Sequence, residues 1–218
     1  MPLNAPVSGA SSDRGVVRRR AFLETALTVF CERGYEHVNV NDIVRQAGGS
    51  LATLYSQFGN KEGLFLAVLE ECNSRIAAAL CPVADPSLEL RDGLQRIGEH
   101  YLRRALAPES CRFFKMICAA SGEFPDAVKE SLRVGPNRVA SIVADYTRER
   151  APLERVVFAD HDEAALAFFA LVRGQHQYRA ILEDDYRLSD EEISQHVRAA
   201  VRIILQGAAR QAKHEQSG

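Results

Sequence analysis

The sequence predicts an all-α protein, with an N-terminal three-helix helix-turn-helix unit followed by a C-terminal helical bundle. Three observations point there. Apolar residues recur at i, i+3, i+4 and i+7 along nearly the whole chain. Alternating β-branched runs, and the Asn-Gly or Asp-Gly turns that join hairpins, are nearly absent. The joint Gly48-Gly49-Ser50 separates two apolar stripes too short to be stable helices alone.

The first helix starts at the basic run Arg18-Arg19-Arg20 and carries Leu23, Ala26, Leu27 and Phe30, with Gly34 where a left-handed C-terminal cap belongs. The second carries Val40, Ile43, Val44 and Ala47 behind an Asn39 cap, with Asp42 three residues on as an approximate capping box. Ser50 caps a third with Leu51, Leu54, Tyr55 and Phe58. Asn60 caps a fourth with Phe65, Leu69, Cys72 and Ile76, ended by "CPVADP". Beyond Pro86 the helices lengthen, near 87–106, 110–121, 124–133, 136–150, 160–182 and 190–212. Asp160 with Glu163 and Ser189 with Glu192 form two good capping boxes. Residues 1–17, rich in Pro, Gly and Ser, read as a disordered tail, 18–62 as the three-helix domain and 63–218 as the bundle. The fourth helix is the only continuous connection between the last two.

The chain has 218 residues, 46% apolar and 26% charged, which is ordinary globular composition. It holds no run of about 18 uncharged apolar residues and no apolar leader, so neither a membrane span nor a signal peptide is expected. Five cysteines without paired spacing suit a reduced, cytoplasmic setting. A formal charge of −2 argues against indiscriminate coating of nucleic acid. Residues 1–62 nevertheless hold seven Lys/Arg against six Asp/Glu, while 63–218 hold 20 against 23. Cys-x-x-Cys, His-x-x-x-His, a P-loop, G-x-S-x-G and a dinucleotide fingerprint are all missing, so no enzyme, cofactor or metal site is expected.

A three-helix unit with a glycine turn before its third helix is the plan of a helix-turn-helix DNA reader. If Leu54 and Phe58 face inward, Ala52, Thr53, Ser56 and Gln57 face outward, without bulk or negative charge, and such a face fits a major groove about 12 Å wide. The stretch "FLETALTVFCERGYEHVNVNDIVRQAGGSLATLYSQFGNKEGLF" resembles the N-terminal domain of the TetR/AcrR family of bacterial transcriptional regulators. The family's pattern is met by Phe30, Gly34, Tyr35, Asp42, Ile43, Ala47, Gly48, Ser50, Thr53, Leu54, Tyr55, Phe58, Lys61 and Glu62, in order and without gaps. The stretch "CRFFKMICAASGEFPDAVKESLRVGPNRV" is similar to the C-terminal domain of an AefR-like subgroup.

The resemblance implies a homodimer on a palindromic double-stranded operator, and a C-terminal pocket whose small-molecule effector changes the spacing of the two readers. Carried over by position, Leu51, Ala52, Thr53, Tyr55, Ser56 and Gln57 face bases or backbone, and Asn39, Ser50 and Lys61 hold phosphates. Gly49 replaces a usual apolar residue, which should loosen the turn. Leu51 and Ala52 offer only thymine-methyl contact, so Thr53, Ser56 and Gln57 must supply direct readout, Gln57 as the candidate for a bidentate adenine contact. Arg18, Arg19 and Arg20 are either a solvated helix start or, beside a reader, phosphate or minor-groove contacts. Lys61, in a first helical turn, needs a compensating partner, which a phosphate would supply.

His100, Tyr101, Phe114, Met116, Phe124, Phe168 and His176 are either cavity lining or ordinary core; in the pairs Phe113-Phe114 and Phe168-Phe169 one ring can face a cavity while the other fills core. Ala165, Phe169, Val172, Val197, Val201, Ile204 and Ala208 form two stripes of small and large residues suited to a four-helix interface between two copies, unless both are spent inside one subunit. Cys111 and Cys118 lie about 10.5 Å apart along a helix, too far for a disulfide without rearrangement, which leaves redox sensing a minor alternative. Together these features favour a ligand-released repressor; an all-helical enzyme or an interaction module is the rival reading.

Overall fold

The computed structural model describes the backbone of residues 9–215 and the side chains of residues 14–208. Ten α-helices run in the order α1 (Gly9–Arg33), α2 (Val40–Ala47), α3 (Leu51–Phe58), α4 (Lys61–Leu80), α5 (Leu90–Ala105), α6 (Pro108–Ala120), α7 (Pro125–Arg150), α8 (His161–Arg173), α9 (His176–Leu182) and α10 (Asp190–Glu215). Short 3-10 turns follow α4 at Cys81–Val83 and α7 at Ala151–Glu154. No strand occurs among the described residues. The expected tail is shorter than the sequence suggested, because residues 9–17 already form the opening turns of α1; residues 1–8 lie outside the described residues.

The boundaries follow local chemistry. The Ser50 hydroxyl accepts from the Thr53 amide at 3.1 Å and the Asn60 carbonyl from the Gly63 amide at 2.7 Å, satisfying first-turn donors. Asp160 accepts from the amides of Asp162 and Glu163, and Ser189 and Glu192 cap each other reciprocally. The box expected at α2 does not form. Asn39 caps through the Asn41 amide, while Asp42 is drawn into ion pairs with Arg33 at 3.0 Å and Arg45 at 2.6 Å.

Two lengths differ from expectation. The helices placed at 124–133 and 136–150 are one, because Pro136 removes a single backbone donor while α7 is held along its length by packing against α4 and α8. The helix placed at 160–182 is two, because Gly174 takes a φ of +47° and ends α8.

Packing also redraws the domain boundary. One core joins Phe22, Phe30, Ile43, Leu54 and Phe58 to the first half of α4, and then to Met116, Ile117 and Ala120 of α6 and Val128 of α7. A second gathers Ala77 and Leu80 from the end of α4 with the inner faces of α5, α7, α8 and α10. Residue 62 is therefore no seam: α4 is buried in both cores, and α6 reaches into the first.

Candidate nucleic-acid interface

The candidate reader is α3. Leu54 is fully buried and Phe58 nearly so, the latter set edge-on to Phe22 at 6.4 Å. That fixes the outward face, where Ala52, Tyr55 and Ser56 are exposed and Leu51, Thr53 and Gln57 half-buried. Tyr55 is 42% exposed, which leaves its phenol free to reach outward while Leu54 anchors the helix behind it.

Two of the expected readers are already engaged, and a third is turned inward. The Thr53 hydroxyl lies 2.8 Å from that of Ser50, within the cap. The Ser56 hydroxyl donates to the Thr53 carbonyl at 2.9 Å, yet stays exposed. Gln57 departs most: its carbonyl oxygen is buried with no partner, so a bidentate adenine contact requires the side chain to rotate outward first.

The turn that aims α3 is tight, not loose. Gly48 and Gly49 take φ values of +71° and +112°, which L side chains rarely adopt. A Cβ on Gly49 would also stand 3.1 Å from the Phe22 ring. The apolar residue expected there would find neither the backbone angle nor the room. Between α3 and α4, a Cβ on Gly63 would overlap the Phe58 carbonyl oxygen at 2.0 Å, so that close crossing also depends on glycine.

The basic residues divide by role. Arg18 donates to the Ala47 carbonyl at 3.2 Å and so braces the end of α2. Arg19 lies over the Phe58 ring at 4.6 Å, exposed beside the reader. Arg20 pairs with Glu24 at 2.9 Å, and Glu24 is also shared with Arg75 of α4. Lys61 has its compensation within the protein, over the Tyr35 ring at 4.3 Å and donating to the Glu36 carbonyl at 3.3 Å.

A cavity of about 140 Å³ opens between α4, α5, α6, α7 and α8, with Gln177 of α9 at its edge. Tyr101 and Phe114 line it, as expected. The other five candidates do not. Phe168 is fully buried in the second core and Met116 lies in the first. Phe124 packs edge-on against Tyr35 at 4.6 Å. His100 is set apart, with its Nε2 buried and unpartnered. His176 hydrogen-bonds Tyr186 and meets His196 edge-on. Phe113 and Phe169, one from each adjacent aromatic pair, line it too, and Ile76, Val139 and Leu166 join them. Nothing in the sequence separated them from core residues, because lining a void and filling a core demand the same apolar side chains.

The expected dimer stripes are spent inside one subunit. Ala165, Phe169, Val172, Val197, Val201 and Ala208 are all buried, with Ile204 packed against their core. A buried side chain has no surface left for a second copy. What α8 and α10 turn outward is a different set: Leu166, Ala167 and Ala170, and Ile203, Gln206 and Gly207. The five cysteines are free, and burial pushes the Cys31 and Cys111 thiols up and that of Cys72 up to about 12. Thiols so held are poor nucleophiles, whereas Cys81 and Cys118 stand exposed.

Comparison with known proteins agrees with this geometry. Residues 22–68 match the bacterial regulatory proteins of the TetR family, and residues 92–207 match the C-terminal domain of AefR-like transcriptional repressors. Over 63 residues the chain is 44% identical to the HTH-type transcriptional repressor ComR of Escherichia coli, covering 29% of this chain and 30% of that one. Over 71 residues it is 38% identical to the repressor AcnR of Corynebacterium efficiens, covering 33% and 38%. The chain thus spans about a third of the length of these curated relatives. The flavonoid-responsive regulator FrrA shares 28% identity at a TM-score of 0.74, covering 87% of this chain and 96% of that one. A regulator from Mesorhizobium loti superposes at a TM-score of 0.80 with 21% identity, over 88% and 97%, and shares the fold. With a glycine-set reader helix on one core and an AefR-like bundle on the other, the chain belongs to the TetR family of bacterial transcriptional regulators.

Proposed function

We propose that the protein is a cytoplasmic repressor that binds a palindromic operator as a homodimer and leaves it when a small molecule enters the cavity. The observation that carries this reading is Ile117, which lines the cavity and is also part of the reader's core. Phe113 does the same from its margin, and Asn73 and Ile76 bring α4 itself to the cavity wall. An occupant that moves α6 or α4 must therefore move what α3 leans on.

Two readers dock together only when they stand one DNA turn apart, about 34–36 Å. A ligand favouring another spacing shifts the population off DNA. Taking the competent fraction from 99% to 1% needs about 5.5 kcal/mol of differential binding. The flavonoid response of FrrA supports small aromatic molecules as the first effectors to try. For the dimer, the outward residues Leu166, Ala167 and Ala170 of α8 with Ile203 of α10 replace the stripes lost to the core: small side chains beside large ones allow close helix approach.

The test is a gel shift on DNA flanking the coding region. Ala52→Glu and Ser56→Glu place carboxylates on the outward face of α3 and should cut affinity by at least about a hundredfold, since like charges juxtaposed in an interface cost several kcal/mol. Their melting temperatures should stay within about 2 °C of the parent, because surface substitutions rarely change stability by more than 0.5 kcal/mol. Full retention of binding in both variants refutes α3 as the reader. Binding should also weaken steeply with added salt.

A further inference from the structure

We infer that the cavity selects a compact amphipathic anion, an apolar body of about one aromatic ring bearing a carboxylate, with Arg173 as the anchor of its charge. This inference rests on the reading of the cavity as an effector site and specifies its chemistry.

Size comes first. A cavity of about 140 Å³ is close to the engineered void of about 150 Å³ that stays dry and accepts benzene. Its deeper wall is apolar, with Ile117, Val139 and Phe169 buried and the Phe113 and Phe114 rings beside them. Such a wall rewards a ring or short hydrocarbon body and offers it little to hydrogen-bond.

Charge comes second. Two arginines, Arg104 and Arg173, line the cavity, and no aspartate or glutamate does. The two differ. Arg104 is exposed and has Glu109 at 3.8 Å. Arg173 is half-buried, and no carboxylate pairs with it among the described residues. Tyr101 interacts with it from the same cavity wall: burial pushes that phenol up and the Arg173 charge pulls the other way. A guanidinium in a wall of low polarity is worth more to an entering anion than one in water, and its planar fork matches a carboxylate bidentately. Arg173 closes the last turn of α8, where a cation is favoured by the helix dipole, so the charge can wait there without a carboxylate at little cost.

The experiment compares charged and neutral probes of one shape on the full chain by calorimetric titration: benzoate and 3-phenylpropanoate against benzamide and 3-phenylpropanamide. Each acid should bind at least roughly tenfold more tightly than its amide, as a charge-assisted hydrogen bond implies. Arg173→Leu should erase that ratio while leaving amide affinity in place, and Arg173→Lys should keep most of it. If Arg173→Leu does not fold, Arg173→Gln carries the same expectation. Equal affinity of acid and amide, an unchanged ratio in the neutral variants, or no binding of any of the four probes overturns the inference. Operator release is measured alongside. Amides that bind and release DNA as well as the acids do would leave the effector reading standing and remove the charge assignment. Acids that bind through Arg173 without altering operator affinity would keep the site and remove the effector reading.

Discussion

Gly49 shows how much of this reader depends on a missing methyl group. Its φ of +112° and the 3.1 Å approach of the Phe22 ring oppose any side chain there. Gly49→Ala should cost about 1–3 kcal/mol, the usual cost of a strained backbone angle, read as a drop in the denaturant midpoint. Gly15→Ala is the control. It lies within α1 with nothing near its would-be Cβ, so alanine should be neutral or stabilising by up to about 1 kcal/mol. His176 carries a second residue-scale expectation. Burial first, and then the charges of His196 and Arg179, hold its imidazole below the ordinary histidine range. The folded form thus binds a proton less readily than the unfolded chain. Well above about pH 6.5 both are neutral and nothing is lost; as pH falls through that value, the unfolded state is protonated first and stability drops. Melting temperature should therefore decline between pH 7 and pH 5, and His176→Gln should flatten part of that decline.

At the scale of elements, the corner between α6 and α7 matters most. Phe124 immediately precedes α7 and packs against Tyr35 at 4.6 Å and Phe65 at 5.7 Å, within the aromatic cluster of the reader's core. The sequence placed Phe124 among cavity candidates because its type and neighbourhood fit; only the path of α6 shows that it docks elsewhere. Phe124→Ala should destabilise the fold by about 2–3 kcal/mol, somewhat below the 3–5 kcal/mol of a fully buried phenylalanine, and should blunt the response of operator binding to effector. A variant that melts lower yet keeps the full response would show that α4 alone transmits the signal. The helices themselves were largely legible. Ser50, Asn60, Asp160 and Ser189 mark their starts by chemistry that acts within one turn. The single helix through Pro136 and the break at Gly174 are not legible for the opposite reason, since tertiary packing decides whether a helix continues through a proline or stops at a glycine.

At the scale of the whole molecule, the proposed mode of binding has two copies meet so that two readers span successive grooves. Ile203 stands 51% exposed on α10, beside the outward Gln206 and Gly207. Ile203→Glu should convert a dimer to monomers in sedimentation at micromolar concentration and lower operator affinity by at least about tenfold, since a carboxylate desolvated against an apolar partner costs several kcal/mol. Val201→Glu, at a fully buried position, should instead unfold the subunit. If both variants remain folded dimers, the face of α8 and α10 is not the interface.

The sequence by itself determined the all-α class, the capped helix starts and the short α3 that is the candidate reader: N-caps and the Leu54 and Phe58 anchors act over a few residues and leave their mark in the order of the chain. What the tertiary structure alone decided was the fate of apolar side chains distant in sequence. Phe169 and Val201 look like interface and prove to be interior, Phe168 fills core while its neighbour lines a cavity, and Ile117 touches both cavity and reader. Burial against solvent, a partner or a ligand draws on the same hydrophobic residues, so their type cannot say which surface they will meet. That choice is made when α4 and α6 pack across both cores, and it places Arg173 beside an apolar void with no carboxylate in its wall.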